Sequence, residues 1–130
     1  MNKTKQLGDL QIAIMQSLWK LREGTVAQVH AALTEERDLA LTTVATVLSR
    51  LEKGGLIAHH TESRQFVYRP IVSKTELLRL MVTDLVDKLF QGDHTALVSH
   101  LLRDSEISKG DLKRVKAMIA AKEGSRGRRG

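Results

Sequence analysis

Cysteine is absent from this 130-residue chain, and aromatics are scarce: one Trp, one Tyr and two Phe. Without cysteine there is no disulfide, no thiolate metal site and no cysteine nucleophile. So few aromatic rings leave the core to aliphatic side chains, mostly on helices. No apolar run approaches the ~18 residues that a membrane helix needs. The opening MNKTKQLGDL has no apolar signal core. A soluble, cytoplasmic protein without membrane insertion is expected. At this length the chain holds one ordinary domain, or a small domain with an appendage.

The net charge is +6, which suits an acidic partner, but it is unevenly placed. Residues 1–72 carry 9 Lys/Arg against 7 Asp/Glu, net +2; residues 73–130 carry 12 against 8, net +4. In the last nine residues Lys122, Arg126, Arg128 and Arg129 outweigh Glu123, which is half of the total. Where the cations Lys3, Lys5, Arg50, Lys53, Arg64 and Arg69 sit therefore matters more than the sum.

The most structured pattern is TTVATVLSRLEKGGLIAHHTESRQFVYRP, residues 42–70. At about 100° per residue, Val44, Val47, Leu48 and Leu51 share one stripe that must bury. Thr42, Thr46, Ser49 and Lys53 point away from it, with Thr43 and Arg50 on a shoulder. Short hydroxyls ending in cations are the side chains that reach base edges and phosphates in a major groove. Thr42 is expected to cap the helix, and Gly54-Gly55 to end it. The period then shortens to about two. Leu56 to His60 and Gln65 to Arg69 read as strands around the polar tip Thr61-Glu62-Ser63-Arg64, and the only proline, Pro70, closes the second.

Two helices precede this segment. Leu7, Leu10, Ile14, Leu18 and Leu21 form a stripe widened by Ile12, Met15 and Trp19. Thr25-Val26-Ala27-Gln28 fits a capping box, opening a helix that buries Val26, Val29 and Leu33. Helix, helix, recognition helix and hairpin make a winged helix-turn-helix over residues 1–72. The fold class is thus mostly α with one small β-hairpin.

The second half is helical. Ser73-Lys74-Thr75-Glu76 opens a helix to about Phe90, whose apolar residues include Leu77, Leu78, Met81, Val82, Leu85, Val86 and Leu89. That stripe is too wide to cover one neighbour only. Two more helices follow, from His94 to Leu102 with Leu97 and Leu101, and from Lys109 to Ala121 with Leu112, Val115, Met118 and Ile119. Three such helices make a poor independent core, so residues 73–122 are expected to form a homodimer through Leu78, Met81, Val82, Leu85, Leu89, Leu97, Leu101 and Val115. Residues 123–130 read as a disordered basic tail.

No spacing sets a base beside a nucleophile, and Gly54-Gly55 precedes a strand rather than a helix, so enzymatic and phosphate-loop readings fail. His59 and His60 are adjacent on a strand and face opposite ways; His94 and His100 are too far apart for helical ligation; His30 stands alone. No metal and no cofactor are expected.

LGDLQIAIMQSLW, TVAQVHAAL, LALTTVATVLSRLEKGGLI and SRQFVYRP resemble the penicillinase-repressor (BlaI/MecI-type) family, over Leu7 to about Lys122. The resemblance implies a homodimeric winged-helix repressor of a dyad-symmetric, double-stranded operator. It also implies release when a membrane-bound sensor protease cuts the C-terminal helices. The family's scissile Asn-Phe pair corresponds here to His100-Leu101. Its wing carries a glycine before the arginine, where this chain has Ser63 before Arg64, a change expected only to stiffen the tip. A copper-responsive branch uses C-terminal cysteines, which this chain lacks. Two other readings stand beside this one: a winged-helix module that binds protein, and a repressor released by a small ligand.

Overall fold

The computed structural model describes residues 7–104 and 107–127. Its element order is α1 (Asp9–Leu21), α2 (Val26–Leu33), α3 (Leu41–Lys53), β1 (Ile57–Glu62), β2 (Gln65–Pro70), α4 (Lys74–Leu89), α5 (His94–Asp104) and α6 (Lys109–Gly127). Contacts divide it into two compact units, residues 1–89 and 90–130.

In the first unit, α1, α2 and α3 enclose an aliphatic core of Ile14, Met15, Leu18, Val29, Leu33, Val44, Leu48 and Leu51. The α1 stripe departs from expectation at its end. Leu21 is 41 % exposed, because Arg22 takes φ 73° and turns the chain away, while Met15 is fully buried. Helix α2 starts with the expected capping box: Thr25 Oγ1 accepts from the Gln28 amide at 3.2 Å, and Gln28 Oε1 accepts from the Thr25 amide at 2.8 Å. His30 Nε2 donates to the Leu39 carbonyl at 2.7 Å, which ties down the loop before α3.

Helix α3 is capped by Ala40 and not by Thr42, which lies inside the first turn. The Ala40 carbonyl receives the Thr43 and Val44 amides, so the helix begins two residues earlier than the hydroxyl suggested. Its end is a Schellman motif. The Leu56 amide donates to the Leu51 carbonyl at 3.1 Å, and the Gly55 amide to the Glu52 carbonyl at 3.0 Å. Gly55 supplies the required left-handed residue at φ 80°. The accompanying apolar contact positions are Leu51 and Leu56, each 2 % exposed.

Strands β1 and β2 pair antiparallel, with His59 opposite Tyr68 and Glu62 opposite Gln65. The turn is therefore only Ser63-Arg64, tighter than the expected four-residue tip. Gly24 forms a further antiparallel bridge to Tyr68, with N–H···O distances of 2.9 and 2.8 Å. That bridge answers the problem of a hairpin too small to stand alone in water. Trp19 Nε1 donates to the Val72 carbonyl at 2.9 Å and fastens the chain leaving β2 to α1.

The first unit extends past the expected division at residue 72. Ser73 Oγ accepts the Glu76 amide at 3.1 Å as α4 opens, and Leu77 then enters the winged core with 4 % exposure. Met81, one turn on, packs against that core. An open apolar cleft of about 280 Å³ between α1 and α4 is lined by Ile12, Trp19, Leu78, Val82 and Leu85 among others.

In the second unit, Asp93 Oδ1 accepts the Ala96 amide at the start of α5, and Ser108 Oγ accepts the Asp111 amide at the start of α6. No described side chain of residues 90–124 is buried. Helix α6 continues to Gly127, so the tail expected to be unstructured from residue 123 is helical up to there. Ala120, Ala121, Lys122 and Glu123 are good helix formers, and each added residue gains one backbone hydrogen bond. Arg128 and Arg129, like Lys3 and Lys5, lie outside the described residues.

Since Leu77 belongs to the winged core, Leu77→Ala should destabilise it by about 3 kcal/mol. Urea unfolding followed by Trp19 fluorescence measures this. A change near zero would detach α4 from that core.

Candidate nucleic-acid interface

Helix α3 has a dry side and a wet side. Val44 and Leu48 are 0 % exposed and Val47 is half-buried, whereas Thr42, Thr43, Thr46, Ser49, Arg50 and Lys53 are all exposed. All six candidate contacts on this helix thus lie clear of the core, on three successive turns. The Thr46 hydroxyl donates to the Thr42 carbonyl at 2.9 Å. Its hydrogen is occupied, so towards a base edge Thr46 offers an acceptor oxygen and a methyl group. Arg50 and Lys53 occupy the last turn, where cations are also favoured by the helix dipole.

Arg64, the seventh candidate, is exposed on the two-residue turn. Ser63 has φ 48° and Arg64 φ 66°. Two successive left-handed residues are the requirement of a type I′ hairpin turn, usually met by Asn-Gly. Neither residue here is glycine. The Ser63 substitution therefore does more than stiffen the tip: it places an L side chain where the backbone is strained.

The hairpin separates the two histidines as alternation requires. His59 turns towards α3, where its Nδ1 donates to Glu52 Oε2 at 2.6 Å, and its ring stacks on Phe66 with centroids 3.9 Å apart and planes 17° apart. Tyr68 lies beside it at 5.8 Å. Burial, and secondarily the Glu52 charge, push the Tyr68 hydroxyl above its ordinary value. His60 turns the other way and meets Glu62 at 3.2 Å. Glu23 joins these two, the three ligating atoms lying within 4.8 Å of one another on an exposed patch. Sequence reading missed this group. The signal was split between an i, i+2 pair on one strand face and a residue delivered by the distant Gly24–Tyr68 bridge.

Half of the eight expected dimer residues are exposed within the single chain, and none of the eight is buried. Leu78 is 53 %, Val82 46 %, Leu89 65 % and Leu101 46 % exposed, while Met81, Leu85, Leu97 and Val115 are half-buried. His100-Leu101 lies inside α5.

This arrangement of three helices and a wing has relatives. The family model described as penicillinase repressor matches residues 7–121. The chain belongs to the penicillinase repressor family. It is 40 % identical over 129 residues to the transcriptional regulator BlaI of Mycobacterium tuberculosis, covering 97 % of this chain and 94 % of that one. The penicillinase repressor of Bacillus licheniformis is 26 % identical over 108 residues, covering 83 % and 84 %. Among solved structures, the DNA-binding domain of the repressor BlaI aligns with a TM-score of 0.52 and 32 % identity, over 58 % of this chain and 93 % of that domain. Membership of this family makes the protein a DNA-binding transcriptional repressor and not an enzyme. Among the described residues, no helix is long and apolar enough to cross a membrane.

If the wing turn is strained at its serine, Ser63→Gly should raise stability by about 1 kcal/mol. Thermal unfolding of the paired proteins tests this; a loss of stability would mean that the turn holds Ser63 by contacts the substitution destroys.

Proposed function

We propose that this repressor reads a dyad-symmetric double-stranded operator as a homodimer, with α3 of each protomer in the major groove and the wing beside it. The observation that carries the reading is the division of α3 into an apolar side, with Val44, Leu48 and Leu51 buried and Val47 half-buried, and an exposed side of hydroxyls and cations. A face built to bind protein would be apolar where this one is polar. Thr43, Thr46 and Arg50 are assigned to base edges, Thr42, Ser49 and Lys53 to the flanking backbone, and Arg64 to a phosphate or the minor groove. The work is done where the DNA is, so the proposed location is the cytoplasm.

Dimerisation is proposed because residues 90–124 bury no described side chain while α4, α5 and α6 expose Leu89, Leu101, Leu102, Met118 and Ile119. A second copy supplies the missing cover. The α1–α4 cleft shares Leu78, Met81, Val82 and Leu85 with this proposed surface, so it calls for no separate ligand. Release by a sensor protease at His100-Leu101 is compatible with this scheme. Cleavage inside a helix needs local opening, and no described side chain of α5 is buried to resist it.

Three outcomes are expected. Arg50→Ala should weaken operator binding by ~1–3 kcal/mol and random-sequence binding by much less. Equal losses in competition gel shifts would reduce Arg50 to a phosphate contact. Arg64→Ala should weaken both and lower the salt slope by about one. Leu89→Asp changes a side chain that is 65 % exposed in the single chain, so the fold should survive while sedimentation equilibrium shows monomers. A wild type that is monomeric at micromolar concentration would remove the dimer from the scheme.

A further inference from the structure

Helix α3 ends with a carboxylate where its dipole favours cations. Glu52 sits between Arg50 and Lys53 at the negative end of the helix, and on the helix alone it is misplaced. Its role lies across the gap to the wing. Glu52 Oε2 receives the His59 Nδ1 hydrogen at 2.6 Å, and the pair is only about a third exposed, at 31 % and 30 %. His59 is on β1, and its ring stacks on Phe66 of β2 at 3.9 Å. The register explains the stack: His59 stands opposite Tyr68 and Phe66 opposite Thr61, so His59 and Phe66 are diagonal neighbours on one face of the hairpin. Phe66 itself is 50 % exposed and contributes little to the core. It lies two residues from Arg64 at the tip.

A continuous chain of contacts therefore runs from the last turn of α3 through both strands almost to the turn. The hairpin is also held by backbone bonds, at its root by the Ile71 amide on the Leu56 carbonyl at 2.9 Å and on the His59 rung by the Gly24–Tyr68 bridge. Those bonds fix where the wing starts. They leave its tilt relative to α3 to side chains, and among the described contacts between α3 and the outer wing the Glu52–His59 bond is the directional one.

We propose that Glu52, His59 and Phe66 form a strut that sets the angle between recognition helix and wing, and that His59 is a positioning residue for the Arg64–DNA contact. The proposal rests on the wing reading given above. A side chain acting this way has a signature that a merely stabilising one lacks. Its removal should abolish the benefit of Arg64 while sparing that of Arg50, which sits on α3 itself. Coupling between non-touching residues is what a shared rigid element produces.

The test uses the full-length protein. Wild type, His59→Ala, Arg64→Ala and the double variant are titrated with operator DNA at several salt concentrations. Residual dipolar couplings of the free proteins give the wing orientation directly. His59→Ala alone should lower affinity about fivefold and reduce the salt slope by about one. The double variant should be no weaker than Arg64→Ala, and the wing should be reoriented or averaged in His59→Ala. Phe66→Ala, which leaves the Glu52–His59 hydrogen bond intact, should reproduce the coupling if His59→Ala proves poorly folded. Glu52→Gln, which keeps an acceptor for His59, should stay close to wild type. Additive losses together with unchanged dipolar couplings would overturn the strut. A reoriented wing with a silent Arg64→Ala would keep the strut and sink the wing–DNA reading instead.

Discussion

The burial of one side of α3 is the constraint on which the rest of this molecule turns. Val44, Leu48 and Leu51 are locked among Ile14, Leu18, Val29 and Leu33, and the Schellman motif at Gly54-Gly55 anchors the same helix through Leu56. Rotation by a single residue, about 100°, would push Thr43 or Ser49 into that core and bring a valine or leucine out. The core therefore permits one orientation only. Thr42, Thr46, Ser49 and Lys53 face outward because the aliphatic side chains leave no alternative, and the chemistry available to DNA follows from packing.

Much of this was legible because it is local. Periodicity placed the helices, since apolar residues three and four apart can bury only on one face. The Thr25–Gln28 capping box was readable for the same reason, both partners lying within one turn. Features that depend on distant residues were not readable. Nothing around Gly24 announces an edge pairing with Tyr68, and nothing near Glu52 announces His59. Leu77 belongs to the apolar stripe of α4 in the sequence, which shows that it must bury but not against what. Thr42 looked like a cap because threonine is a good one, yet the helix started at the carbonyl of Ala40, which needs no special side chain. At the wing, Ser63 gave no warning of φ 48°, since a left-handed turn is normally signalled by the glycine or asparagine missing here.

The strained turn and the strut bear on one question, how a two-stranded wing is kept in place. Such a hairpin gains little from its own packing. Here its Tyr68–His59 rung is fixed by backbone bonds to Gly24, and on the other strand that rung is braced by the His59–Phe66 ring stack and the Glu52–His59 hydrogen bond. The backbone bonds resist displacement along the sheet, whereas the stack resists tilting out of it. A wing held in this way can carry an arginine at a strained tip without losing the geometry that makes the arginine useful.

The two units differ in whether they complete their own cores, and the proposed mechanism uses that difference. The described residues 7–89 close around an aliphatic interior of their own, so in the proposed scheme a reading head folds without its partner. The head's charge is nearly balanced, however, and nonspecific attraction to phosphates scales with the cations it can bring to bear. Its weakness alone is what makes assembly decisive. Two heads joined through the uncovered helices bind a paired site with an effective concentration set by their linkage, and the linkage also fixes the half-site spacing they accept. In such a scheme the affinity resides in the connection and the specificity in α3. A cut within α5 leaves each head intact and still able to recognise its half-site, yet removes the term that kept both in place. Repression is then lost without unfolding the domain that reads DNA.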